Sequence, residues 1–204
     1  MAERATHRIS HAHRPGRGRS VAEVLSGLLG IDAYRTEFEE VGRRICALSR
    51  MERRRLLRAC QSSFASPSSR SDEATRVATA KIAVALIPDS MPLIRSWLKR
   101  RGGDDVYEVH FSLFCFLDQV NHENANEHVR GEVLGLLKEY LFNTKSDTAY
   151  ATWMAGHMLG DHWDIREALP ILIDAVVNAR YAAGRRGAAQ GLQDLAERLP
   201  NPKR

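Results

Sequence analysis

The feature that most constrains this chain is an echo along its length. Met91-Pro92-Leu93-Ile94, with Trp97-Leu98 close behind, returns 78 residues later as Leu169-Pro170-Ile171-Leu172 followed by Ala175-Val176. Half that step, 39 residues, lands on Arg130-Gly131-Glu132-Val133 and Leu136-Leu137. Ile94, Val133 and Leu172 thus form one apolar column, and Leu98, Leu137 and Val176 a second one four residues on. Spacing of four on an apolar face is the mark of a helix. Pro92, Gly131 and Pro170 form a further column, expected near each helix start, where a missing N–H costs nothing. A unit of 39 residues accommodates two helices, and a repeated helix pair buries its apolar face only by stacking on its neighbours.

With its Ala-rich first helices and the Leu-Pro opening of the second, the segment 151–196 resembles HEAT-repeat proteins of the short, lyase-like kind, and the resemblance extends over about residues 72–199. The middle unit departs from the pattern, with Gly131 for the proline and Gly135 inside the helix. What the resemblance implies is an all-α protein: an α-α superhelix of about three HEAT-like pairs, stacked right-handedly, behind an N-terminal helical cap. Its curvature would leave an extended inner face for a partner. Repeat arithmetic places Ser96, Lys99, Arg100, Lys138, Glu139, Asp174 and Asn178 on that face. The implied role is a non-catalytic adaptor for a protein partner.

Charge is distributed unevenly. Residues 1–20 carry a balance of +4 and residues 43–58 one of +6, whereas residues 59–204 come to −1. The basic character lies at the N-terminal end, so the alternative reading is nucleic-acid binding through the tail and through Arg50, Arg53, Arg54, Arg55 and Arg58, since clustered arginines attract phosphates. The competing view is a solvated face neutralised by Glu37, Glu39 and Glu40. Residues 1–20 lack apolar periodicity and mix His, Arg, Pro and Gly, a composition that predicts disorder. No apolar run reaches the length of a membrane span and the N-terminus has no secretory apolar core, so the cytoplasm is the default location. Cys46, Cys60 and Cys115 lack CxxC spacing and read as reduced and mostly buried.

Along the chain, residues 21–29 form a helix stopped by Gly30. Phe38, Val41, Ile45 and Leu48 mark one helix face, and Ser49 with Glu52 is a capping box that opens the arginine helix. Residues 62–71, with Ser62-Ser63 and Ser66-Pro67-Ser68-Ser69, read as a linker between an N-terminal segment, 21–61, and a repeat region, 72–200. Helices are expected over 72–87, 91–101, 106–120 and 127–142, that over 106–120 being the most buried. A further one spans 149–159. Asp164 and Glu167 suggest a second capping box, and Tyr181-Ala182-Ala183-Gly184 breaks the chain before a last helix.

Chemistry-bearing motifs are sparse. His157, Asp161, His162 and Asp164 lie within eight residues and are the densest set of metal-ligand types. Metal sites need three or four converging donors, and Asp164 has a capping role to fill, so neither a metal nor any cofactor is expected. Some HEAT-repeat hydroxylases present a His-Glu pair from each repeat to a di-iron centre. This chain has a single such pair, His122-Glu123, which argues against that activity. HEAT-like enzymes that excise alkylated bases hold DNA on a basic concave face, and the mixed signs at the inner-face positions argue against that one. No P-loop, G-x-S-x-G or GxGxxG occurs, and nothing argues for an enzyme.

Overall fold

A computed structural model describes residues 21–100, 104–122, 126–143 and 149–199. The tail 1–20 and Glu123 lie outside these residues, and with them the expectations of disorder and of a His-Glu pair. Among the described residues every regular element is a helix, so the chain is all-α, as the sequence implies. No helix there is long and apolar enough to cross a membrane.

The first three helices are α1 (Val21–Leu29), α2 (Phe38–Ala47) and α3 (Arg50–Ser63). Gly30, at φ 66°, ends α1 in the left-handed conformation that favours glycine. Val41 and Ile45 bury the predicted face of α2. The capping box that opens α3 is formed: Ser49 N donates to Glu52 Oε2 at 2.8 Å, and Glu52 N donates back to Ser49 Oγ at 3.3 Å. The Ser49 hydroxyl, donating to Glu52 Oε2 at 2.6 Å, and the Ser49 N–H hold the Glu52 carboxyl below its usual range, the hydroxyl contributing most.

The serine-rich stretch is a folded corner and not a linker. A short helix, α4 (Pro67–Ser71), packs against the two long helices that follow, α5 (Glu73–Ala85) and α7 (Asp104–His122). Phe64 supplies the missing apolar anchor: it is fully buried and meets the Trp97 ring edge-on at 4.1 Å. Ser63, also buried, pairs its hydroxyl with Thr79 at 2.8 Å. Arg100 donates to the Phe64 carbonyl at 2.6 Å, so the corner's backbone is satisfied as well. One aromatic among the serines outweighs their preference for loops.

α5 sits at the centre. It opens on Asp72, whose carboxylate accepts from Thr75 N at 2.9 Å, and every residue from Ala78 to Val84 is buried. α1, α2 and α3 all pack on it, so the N-terminal helices and the later ones share one core. The most buried helix is therefore α5, not α7. α7 leaves Tyr107 and Phe111 at the surface, whereas the small side chains of α5 admit neighbours all round.

The remaining helices are α6 (Met91–Leu98), α8 (Glu127–Asn143), α9 (Ala149–Asp161), α10 (Ile165–Asn178) and α11 (Ala182–Arg198). α5 packs on α7, α7 on α9 and α9 on α11, while α8 touches α7, α9, α10 and α11. The apolar columns share burial: Ile94, Val133 and Leu172 are fully enclosed, as are Trp97, Leu136 and Ala175, and only Val176 is half-open. The proline column is out of phase. Pro92 stands in the first turn of α6, but Gly131 is five residues into α8 and Pro170 lies inside α10. Asp164 starts α10 a turn earlier than the prolines suggest, its carboxylate accepting from Arg166 N at 2.8 Å. The second capping box does not form, because Glu167 reaches out to Arg130 at 2.8 Å. Cys60 is buried as expected, while Cys46 is exposed.

α9 and α11 meet backbone to backbone. A Cβ placed on Gly156 would stand 1.8 Å from the Gly187 carbonyl oxygen, and one on Gly160 2.1 Å from that of Gly191. Thr152 faces Gly187 in the same seam, and Gly184 brings α11 equally close to Leu141 of α8. Only glycine permits helix axes to approach this far.

Candidate functional site

The seam fixes a polar cluster that holds the one group of possible metal ligands found among the described residues. His157 follows Gly156 on α9, and Gln190 and Asp194 flank Gly191 on α11. With the two backbones in contact, Asp194 Oδ2 lies 2.8 Å from His157 Nδ1. Gln190 donates to the other Asp194 oxygen at 2.8 Å, so the carboxylate is held from both sides. Asp194 thus engages Nδ1 of the His157 ring.

One turn on, α9 ends at Asp161 and the chain turns through His162 and Trp163. The turn is anchored: Trp163 is buried, and Arg198 donates to the carbonyls of Gly160 at 2.7 Å and Trp163 at 3.0 Å. His162 Nε2 then lies 3.3 Å from Asp161 Oδ2 and 3.2 Å from Asp118 Oδ1, the latter contributed by α7. One donor atom each from His157, Asp161 and His162 falls within 4.8 Å of the others. The structure thus gathers three of the four metal-ligand residues noted in the sequence, while Asp164 caps α10 and Asp118 joins the group's edge through His162.

An aromatic row leads into this cluster. Tyr107 of α7 lies 4.9 Å from Tyr150 of α9, Phe111 is 6.1 Å from the same ring, and Tyr150 is 6.0 Å from Trp153. Trp153 stacks on His157 at 5.3 Å with planes 7° apart. Tyr107, Phe111 and Trp153 are 48%, 45% and 41% exposed, large values for side chains of this size. Burial, with Tyr107 nearby, pushes the Tyr150 hydroxyl up to about 12, so it stays a neutral phenol. A second apolar strip, Leu169, Ile173 and Val177, lies exposed along α10.

The inner-face candidates all reach the surface except Glu139, which is half-buried. Glu139 is the one that gathers others, taking Arg95 at 3.2 Å and Lys99 at 3.5 Å. Arg100 is engaged with Phe64, Asn178 donates to Asp174 at 2.6 Å on the same helix, and Ser96 bonds its own helix at Leu93. Lys138 is exposed. These groups are therefore largely satisfied among themselves. The arginines of α3 differ. Arg50, Arg54, Arg55 and Arg58 are exposed and Arg53 half-buried, and among the described residues none of the five forms an ion pair with a carboxylate. The glutamates of α2 do not neutralise them, because Glu39 and Glu40 pair with Arg43 and Arg44 along their own helix.

Sequence reading missed the aromatic row, Asp118 and Asp194. Asp118 had a signal: it stands one 39-residue period before His157, so the two occupy one column of the repeat. Asp194 had none, since its place opposite His157 follows from how far the glycines let α11 slide in. Compared with protein families, with curated proteins and with solved structures, the chain matches none.

Proposed function

We propose that the protein is a non-catalytic helical adaptor: α5–α10 stack as three HEAT-like pairs with α11 closing the last, α1–α3 cap them, and a protein partner docks on exposed apolar surface. The shared burial columns and the succession α5, α7, α9, α11 support the HEAT-like arrangement. The aromatic row of Tyr107, Phe111, Tyr150 and Trp153 carries the docking role. Contiguous exposed aromatics are costly to leave in water, and Tyr and Trp supply much of the binding energy at protein interfaces. The candidates on α6, α8 and α10 serve as polar rim, since Lys99 and Glu139 already neutralise each other.

A second reading rests on the unpaired arginines of α3, which suit an anionic polymer such as nucleic acid. Capture from lysate at two salt concentrations, with and without nuclease, separates the two. The adaptor reading expects a stoichiometric protein partner that resists nuclease and salt and is lost from the double variant Tyr107→Ala/Phe111→Ala, whose exposed positions leave the fold intact. Retention through that variant, with loss on Arg54→Glu/Arg58→Glu or at high salt, transfers the function to the arginine face.

A further inference from the structure

We infer that His157, Asp161, His162 and Asp118 form a binding site for a divalent transition metal of the zinc class, with Asp194 orienting His157 from behind. Two imidazoles with two carboxylates are a zinc-type donor set, whereas magnesium and calcium take oxygen ligands almost alone. Donors around one zinc ion stand about 3.4 Å apart when each is ~2.1 Å from the metal. The His157, Asp161 and His162 donor atoms, all within 4.8 Å of one another, need only small side-chain rotations to converge.

Three further observations favour a cation there. Asp118 Oδ1 is shut off from solvent and accepts no hydrogen bond, yet it lies 3.2 Å from His162 Nε2. A buried carboxylate oxygen left in that state is expensive, and a metal ion between the two atoms would satisfy it. Asp194 holds Nδ1 of His157, which is the arrangement by which carboxylates fix the tautomer and direction of metal-ligating histidines. The cluster also surrounds the C-terminal end of α9, where the negative end of the helix dipole favours positive charge. Entry is open, since the side chains of His157, Asp161, His162 and Asp118 are 20–40% exposed. A bound ion would tie α7, α9 and the turn after it, a structural clamp that leaves the aromatic row free.

The test is zinc titration of the chelator-treated full chain, read by competition with a chromophoric chelator and by melting temperature. One zinc per chain is expected, with a higher melting temperature, because an ion held only by the folded chain stabilises it. Asp118→Asn, which preserves volume and folding, should weaken binding by about 10–100-fold, and His162→Ala at least as much. Cobalt should quench Trp153, whose ring lies on His157. The tail histidines His7, His11 and His13 provide the control: replacing all three by alanine should leave stoichiometry and affinity unchanged. No uptake at tens of micromolar zinc, equal affinity in wild type and Asp118→Asn, or loss of binding with the tail histidines would each overturn the site. Partner capture through Tyr107 and Phe111 is unaffected by any of these outcomes.

Discussion

The two ends of the segment from α5 to α11 bring helices together by opposite means. Around α5–α7 the contacts are between side chains: Phe64 on Trp97, Phe114 near Tyr140, and Ile82, Leu113 and Leu117 filling the space between axes. Between α9 and α11 the glycines Gly156, Gly160, Gly187 and Gly191 place backbone on backbone. A side-chain interface can absorb a change by repacking, whereas a backbone interface cannot. It also holds what it carries more rigidly, and the polar cluster of His157, Asp161, His162 and Asp194 sits on the backbone-packed end.

The sharpest way to break this contrast is Gly156→Ala. The added methyl would meet the Gly187 carbonyl oxygen at 1.8 Å, a backbone atom that cannot move aside without separating the helices. A loss of at least about 3 kcal/mol is expected, or roughly 6–12 °C in melting temperature for a chain of this size. Denaturant unfolding followed by circular dichroism measures it. A near-neutral result would mean that α9 and α11 do not touch at this point.

A smaller effect belongs to the side-chain-packed end, where the core encloses a titratable group. His110 of α7 is buried, with Nε2 at 3.1 Å from the Trp97 carbonyl. Burial depresses its pKa below 6.5, and the bond to Trp97 only partly offsets this. The folded chain therefore keeps His110 neutral at pH values where the unfolded chain binds a proton. Stability from this residue is present above about 6.5 and is lost as the pH falls below it. His110→Gln, which can keep a donor to Trp97, should show a flatter stability profile between pH 7 and 5 than the wild type. Parallel profiles would show that His110 is not the acid-sensitive element of that core.

Much of the helical pattern was legible because it rests on local signals. The α2 face, the Ser49–Glu52 box and the burial columns all come from spacings of three and four. What failed depended on contacts distant in sequence. Phe64 finds Trp97 across 33 positions, so its serine neighbours read as a linker. Pro170 looked like a helix start because a proline inside α10 is tolerated on its exposed side. For the candidate site, His157, Asp161 and His162 were visible as a local cluster, but whether they converge depends on the turn at Trp163 and on Arg198. The glycines were visible too, as Ala- and Gly-rich helices, but their spacing says nothing of whether another backbone lies opposite.

That ambiguity is clearest in α8, whose glycines look like those of α9 and α11 in the sequence. Gly131 and Gly135 are exposed, and a Cβ on either would meet nothing within 4 Å. They are helix-interior glycines without a packing reason, and such a residue costs about 1 kcal/mol relative to alanine through the extra freedom of the unfolded chain. Gly135→Ala should therefore stabilise the protein by up to about 1 kcal/mol, raising the melting temperature by roughly 2–4 °C. The same substitution at Gly156 has the opposite sign and several times the size. If Gly135→Ala destabilised instead, a surface that the described residues leave open would be in contact with something, and α8 would join α9 and α11 on the close-packed side of the contrast.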